Sequence, residues 1–232
     1  MNKFTFTLLL ILSIHFAAFS SHKVYLVHGF AGMGLEMSKI QYNLNKHGIR
    51  NEIFEYPSLT QDIDTVSLHL YQKIRNDDID TVSFITHSMG ALVARSLYNY
   101  IKPSDGFPKI FRMVMIAPPN KGTPLADFFI QSKIISHLAG PNIRNLTTNP
   151  VTGASRYPVP KCEVGVILGV SPFKRGYNIF LEENNDGIVI PKYAKLGIEK
   201  EIAFVKASHT VLLAKNEVIK MTITFLKKGK LK

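Results

Sequence analysis

Phe84-Ile85-Thr86-His87-Ser88-Met89-Gly90-Ala91-Leu92 is the stretch on which the fold turns. Residues 81–86 (TVSFIT) are β-branched and apolar, as a buried strand requires. Leu92, Val93, Leu97 and Ile101 then recur at helical spacing, with a stop near Pro103. Between strand and helix lies a turn of small residues with Ser88 at its apex. A serine there has its hydroxyl exposed at the strand's C-terminal end. The Met89 amide, at the helix N-terminus, points at the same space, so nucleophile and oxyanion donor come together. The pattern departs from G-x-S-x-G because Thr86 replaces the first glycine. A serine N-cap on an ordinary helix would give similar letters. The strand before it and the helix after it favour the sharper reading.

Working outward, five more apolar runs read as strands: residues 23–27, 51–56, 111–117, 163–170 and 201–206. Helical spacing marks 35–45, 62–75 and 211–226, and Gly48 stops the first of these. Strands alternating with helices predict an α/β protein: one domain over 21–232, with a minimal, mostly parallel sheet of about six strands covered on both faces. The crossover after the fourth strand is oversized. It opens with Thr123-Pro124, an N-cap and an N1 proline, and runs to Pro160. A lid-like insertion over about 122–160 is expected, with Phe128, Phe129, Ile134 and Ile135 as its apolar surface; packing on the sheet is the plainer role for these side chains.

Other chemistry clusters at strand ends. His28-Gly29-Phe30-Ala31-Gly32 follows the first strand, and its glycines let amides turn toward a ligand, with Phe30 as second oxyanion donor. His209 follows the last strand, where a base can reach Ser88. His87 is expected to face away from the nucleophile. The acid candidates are Asp186, Asp127, Glu182 and Glu183. Asp127 sits early in a helix, where the dipole suits it. Asp186 lies between nucleophile and base in sequence and precedes a glycine, although an Asp-Gly turn alone would also explain it.

The order Ser88, Asp186, His209, with the two glycine turns, resembles the α/β-hydrolase superfamily. The runs H-G-F-A-G and T-H-S-M-G look most like its small bacterial lipase and esterase branch. Residues 115–127 (MIAPPNKGTPLAD) are similar to a segment after the fourth strand in lipase-like members. The resemblance spans about 23–229. It implies a carboxylic ester hydrolase working through an acyl-enzyme, with catalytic Ser88, Asp186 and His209, an oxyanion hole at Phe30 and Met89, and no cofactor or metal. Phe128 and Phe129 are expected to bind substrate, a small-molecule or lipid acyl ester. A thioesterase, an amidase or a non-catalytic binding protein on the same scaffold are the alternatives. Two departures stand out: no room for strands before residue 23, and Ala91 where many lipases have another glycine.

Composition narrows the classes further. Of 232 residues, 46% are apolar and 19% charged, which argues against disorder. A single cysteine, Cys162, excludes an internal disulfide framework and a cysteine-built zinc site. The formal charge of +11 suits transient contact with an anionic surface such as a membrane. The basic residues are scattered, with one cluster at the C-terminus, so nucleic acid is not an expected partner. A monomer is expected. Residues 1–20 combine Lys3, an apolar run and a small-residue exit, the pattern of a secretory signal peptide and of a secreted or periplasmic protein. An uncleaved N-terminal anchor is the alternative.

Overall fold

The computed structural model describes residues 21–173 and 175–232. The segment 1–20, expected to be an export signal, lies outside the described residues. Six strands form one sheet: β1 His22–Val27, β2 Asn51–Phe54, β3 Thr81–His87, β4 Lys109–Ile116, β5 Glu163–Val170 and β6 Glu201–Lys206. Their order is β2-β1-β3-β4-β5-β6, and every neighbouring pair is parallel. The expected sheet is present, and it is wholly parallel. Strand order reverses between β1 and β3, so their connections leave in opposite directions and a crevice opens at their C-terminal ends.

Alternation along the strands splits the core in two. Tyr25, Val27, Phe84, Met113, Met115, Val166 and Leu168 face the helices α1 (Ile63–Arg75) and α2 (Gly90–Ser96). Val24, Leu26, Ile85, Val114, Ile116 and Ile167 face α3 (Ser38–Lys46) and α4 (Asn216–Lys228). Helix α1 starts where Asp62 accepts the amides of Asp64 and Thr65, both at 3.0 Å. The register of β3 on β4 shifts between Val82 and Phe84. There the Ser83 hydroxyl accepts the Arg112 amide at 3.2 Å, which satisfies a donor that the bulge frees from the ladder.

Two elements begin differently from the sequence expectation. The helix expected from Leu35 opens as a 3-10 turn, Leu35–Met37, because Gly34 at φ 85° precedes it. The helix expected over 211–226 is two pieces, Val211–Ala214 and α4, broken where Lys215 is extended at ψ 125°. The short piece leaves the His209 loop at the end of the sheet.

The oversized crossover holds three short helices: α5 (Pro124–Phe129), α6 (Lys133–Leu138) and α7 (Asn142–Asn145). Thr123 caps α5 as expected, accepting the Leu125 amide. Polar side chains fix the segment. Asp127 accepts the amide and hydroxyl of Thr148 at 2.9 and 2.6 Å. Asn142 accepts the Ile63 amide and donates to the carbonyls of Ser58 and Gln61. The buried Arg95 of α2 joins the two ends of the crossover, donating to Asn120 O at 2.7 Å, Tyr157 O at 2.5 Å and Pro158 O at 3.0 Å. Burial pushes its guanidinium down to about 10.

Arg95→Ala should therefore cost about 3 kcal/mol or more, since several buried carbonyls lose their donor. Urea unfolding of the variant against the parent checks this. An unchanged midpoint would show that the clamp contributes nothing.

Candidate functional site

Ser88 sits where β3 turns into α2, at φ 50°. Among the described residues three non-glycines have positive φ, namely Ala31, Ser88 and Ala117, and each follows the end of a strand at the β1–β3–β4 edge. Such backbone costs energy and persists only where packing enforces it. At Ser88 the enforcement is visible. Its amide donates to Ile116 O at 3.0 Å, and its carbonyl accepts from Ala91 at 3.0 Å. A Cβ on Gly90 would overlap the Val27 carbonyl and lie 2.5 Å from that of His28. Only glycine lets the helix pass β1 so closely.

The first loop is held from below. His28 is buried, and its ring stacks on Tyr56 at 4.0 Å. Its Nε2 accepts the Tyr56 amide at 3.3 Å, and the Tyr56 hydroxyl donates to the His28 carbonyl at 2.7 Å. His28 is thus a packed structural residue, and the turn Gly29–Gly32 above it presents Phe30 to a cavity.

Asp186 and His209 form one unit. The Nδ1–H of His209 donates to Asp186 Oδ2 at 2.8 Å, and the His209 amide donates to the Asp186 carbonyl, also at 2.8 Å. Asp186 Oδ1 is occupied by the amides of Ile188 and Val189 at 2.9 and 2.7 Å. The histidine tautomer is therefore set, with the lone pair on Nε2. That atom is buried and has no hydrogen-bond partner among the described residues. Ser88 and His209 line the same cavity of about 410 Å³.

The distance in sequence from β5 to Asp186 is bridged by a loop held by its own asparagine side chains. Asn184 accepts the Ser171 amide and donates to its carbonyl. Asn185, fully buried, accepts the amides of Asn178 and Gly187 and donates to the carbonyls of Asn178 and Glu183. The loop returns to the sheet over Gly169 of β5. A Cβ there would lie 2.6 Å from Asp186 Cβ and 2.7 Å from Ala207 O. Sequence reasoning leaves Gly169 unmarked and gives Asn185, within the Asp186 turn, no role of its own. The glycine within an apolar strand was the available signal.

The remaining expected residues divide. Phe30 and Phe129 line the cavity, with Leu125, Ile143, Leu146 and Ile188. Met89 buries its side chain in the core and leaves only its backbone beside Ser88. Phe128 does not line the cavity and is 65% exposed. Adjacent helical residues project about 100° apart, so α5 cannot turn both phenylalanines inward. Ile134 is likewise exposed, and the side chain of Ile135 lies outside the described residues. Asp127 binds Thr148 and takes no part in the site. Glu183 pairs with Lys192 at 2.5 Å, and Glu182 is exposed. His87 does not face away from the site. It lines the cavity, and its ring lies 4.8 Å from that of His209. Burial, with His209 and His28 nearby, pushes its imidazole down to about 3.

Solved structures share this architecture, the α/β-hydrolase fold. The product of the gene lin2722 from Listeria innocua superposes with a TM-score of 0.60 at 18% identity, over 90% of this chain and 94% of that one. A metagenomic carboxyl esterase, MGS0156, gives 0.65 at 15% identity, over 84% and 66%. The lipase of Staphylococcus hyicus gives 0.57 at 13% identity, over 84% and 89%. Within that fold, the chain belongs to the family defined by a domain of unknown function, DUF7379, whose family model matches residues 23–158. No curated protein matches the chain.

Gly169→Ala should push Asp186 off the sheet and misplace His209. The proton NMR signal of the His209 Nδ1–H bonded to Asp186 should shift or broaden, with the circular dichroism spectrum unchanged. An unchanged signal in a folded variant would mean that Asp186 does not depend on this close approach.

Proposed function

We propose that the protein is a serine hydrolase of carboxylic acyl esters, of the small bacterial lipase and esterase kind. The observation that carries this reading is the Asp186–His209 pair, whose Nε2 has no partner among the described residues, in the wall of the cavity that Ser88 also lines. Ser88 Oγ attacks the ester carbonyl as His209 Nε2 takes its proton. The amides of Phe30 and Met89 receive the developing oxyanion. His209, now an imidazolium steadied by Asp186, returns the proton to the leaving alkoxide, and an acyl-enzyme remains. Water attacks it by the same route, releasing the acid and restoring Ser88.

The substrate reading rests on the cavity wall. Leu125, Phe129, Ile143, Leu146 and Ile188 make it apolar beyond the nucleophile, which suits an acyl chain. At the rim, Met33 and Leu35 are 73% and 71% exposed, as a surface meeting lipid would have them. The reading is therefore of a small or lipid ester, transient contact with a lipid surface, a monomer, and export directed by residues 1–20. Among the described residues no helix is long and apolar enough to cross a membrane.

Ser88→Ala should lower hydrolysis of short-chain nitrophenyl esters by roughly a thousandfold or more with the fold intact, and Asp186→Asn by a similar order. A fluorophosphonate probe should label the parent at Ser88 alone. Undiminished turnover in folded Ser88→Ala would overturn the assignment.

Phe129→Ala should shift preference toward longer acyl chains by enlarging the cavity, whereas Phe128→Ala should not. The ratio of kcat/KM for butyrate and decanoate esters measures this. An unchanged ratio in folded Phe129→Ala would make α5 purely structural.

A further inference from the structure

We propose that His87 is a positioning residue for the general base, holding the His209 loop to the strand that carries the nucleophile. The proposal rests on the reading of Ser88 and His209 given above. His87 is the last residue of β3, directly before Ser88. Its Nε2 lies 3.2 Å from the carbonyl oxygen of His209, across 122 positions of sequence. A carbonyl only accepts, so the proton is on Nε2 and His87 donates. The two rings pack with centroids 4.8 Å apart and planes at 46°.

The other ring nitrogen makes the case specific. With the proton on Nε2, Nδ1 is an acceptor, and it is buried with no partner among the described residues. A buried acceptor left alone costs about 1–3 kcal/mol. A leucine or phenylalanine would fill the same space without that cost. A histidine here therefore makes sense through its Nε2–H, the one group such residues lack.

Charge favours the same role. The titratable groups around His87 are His209, on the loop after β6, and His28, at the end of β1. During the reaction His209 becomes an imidazolium. A second cation in contact with it would oppose that step, and burial keeps His87 neutral throughout the range in which a histidine base works. His87 can therefore hold the His209 backbone and pack on its ring without raising the energy of the charged intermediate.

The test combines nitrogen NMR of the full chain with two variants. In the parent, His87 should be the neutral Nε2–H tautomer from pH 5 to 9, and the His209 Nδ1–H should give a sharp, far-downfield proton signal. His87→Phe keeps a ring and removes the donor. Its kcat on nitrophenyl butyrate should fall roughly tenfold or more, with KM within about twofold, and the downfield signal should broaden. His87→Gln, which restores a donor at similar reach, should recover most of the kcat and the sharp signal. Three results would overturn the proposal: His87 titrating or carrying its proton on Nδ1, parent-like kcat and signal in His87→Phe, or His87→Gln as impaired as His87→Phe. If His87→Phe fails to fold, the parent tautomer and His87→Gln still decide. A parent that turns over no ester and takes no fluorophosphonate label would defeat the hydrolase reading alone, because the NMR arms do not need turnover.

Discussion

The helix that follows Ser88 passes the end of β1 so closely that Gly90 rests against the carbonyls of Val27 and His28. This contact sets the positions of two parts of the site at once. It forces the chain at Ser88 into a left-handed turn, since the strand must become a helix within two residues. It also brings the first loop alongside the serine: a Cβ on Gly29 would lie 3.0 Å from Ser88 Cβ. The stack of His28 on Tyr56 then keeps that loop from sinking into the core. A residue larger than glycine at position 90 would have to move β1, and with it every side chain that Val24, Leu26 and Val27 pack against.

Much of this was legible in sequence because it is local. Residues 163–170 and 201–206 are short apolar runs with polar boundaries, and the strands have those bounds. The strand-to-helix turn at Ser88 lies within nine residues, and the Thr123-Pro124 cap within two. The order Ser88, Asp186, His209 came from the chain and a resemblance; Asp186 and His209 are hydrogen-bonded, and His209 and Ser88 line one cavity. What was not legible depends on contacts between distant segments. Nothing near Gly169 in sequence says that Asp186 will return to lie on it. His87 was expected to face away from Ser88, because nothing near it in sequence announces the loop 122 positions later that packs on it. Phe128 and Phe129 are equally apolar, and only the docking of α5 decides which of them turns inward. The long crossover was read as a lid-like insertion, and its anchors, Arg95, Asn142 and Asp127, went unseen because ordinary polar contacts leave no periodic trace.

The site is thus two rigid halves with a cavity between them. One half is the β1 loop and the Ser88 turn, locked together at Gly90. The other is Asp186 and His209, joined by a side-chain bond and a backbone bond and hung from β5 and β6. The second half is densely bonded: Asp186 Oδ1 holds two amides, and the Asn185 side chain makes five bonds within its loop. His209 Nε2 is left without a partner among the described residues, and both His209 and Ser88 line the cavity. The relative placement of the halves then matters as much as their internal order. β3 and β6 are separated in the sheet by β4 and β5, so register alone transmits position between them through three ladders. The bond from His87 to the His209 carbonyl crosses that distance in one step, at the level of the reacting groups. A parallel sheet fixes its strands closely along their length but lets the loops beyond their ends wander. A direct tie from the end of one strand to the loop beyond another limits this, at the site where we propose that a proton transfers.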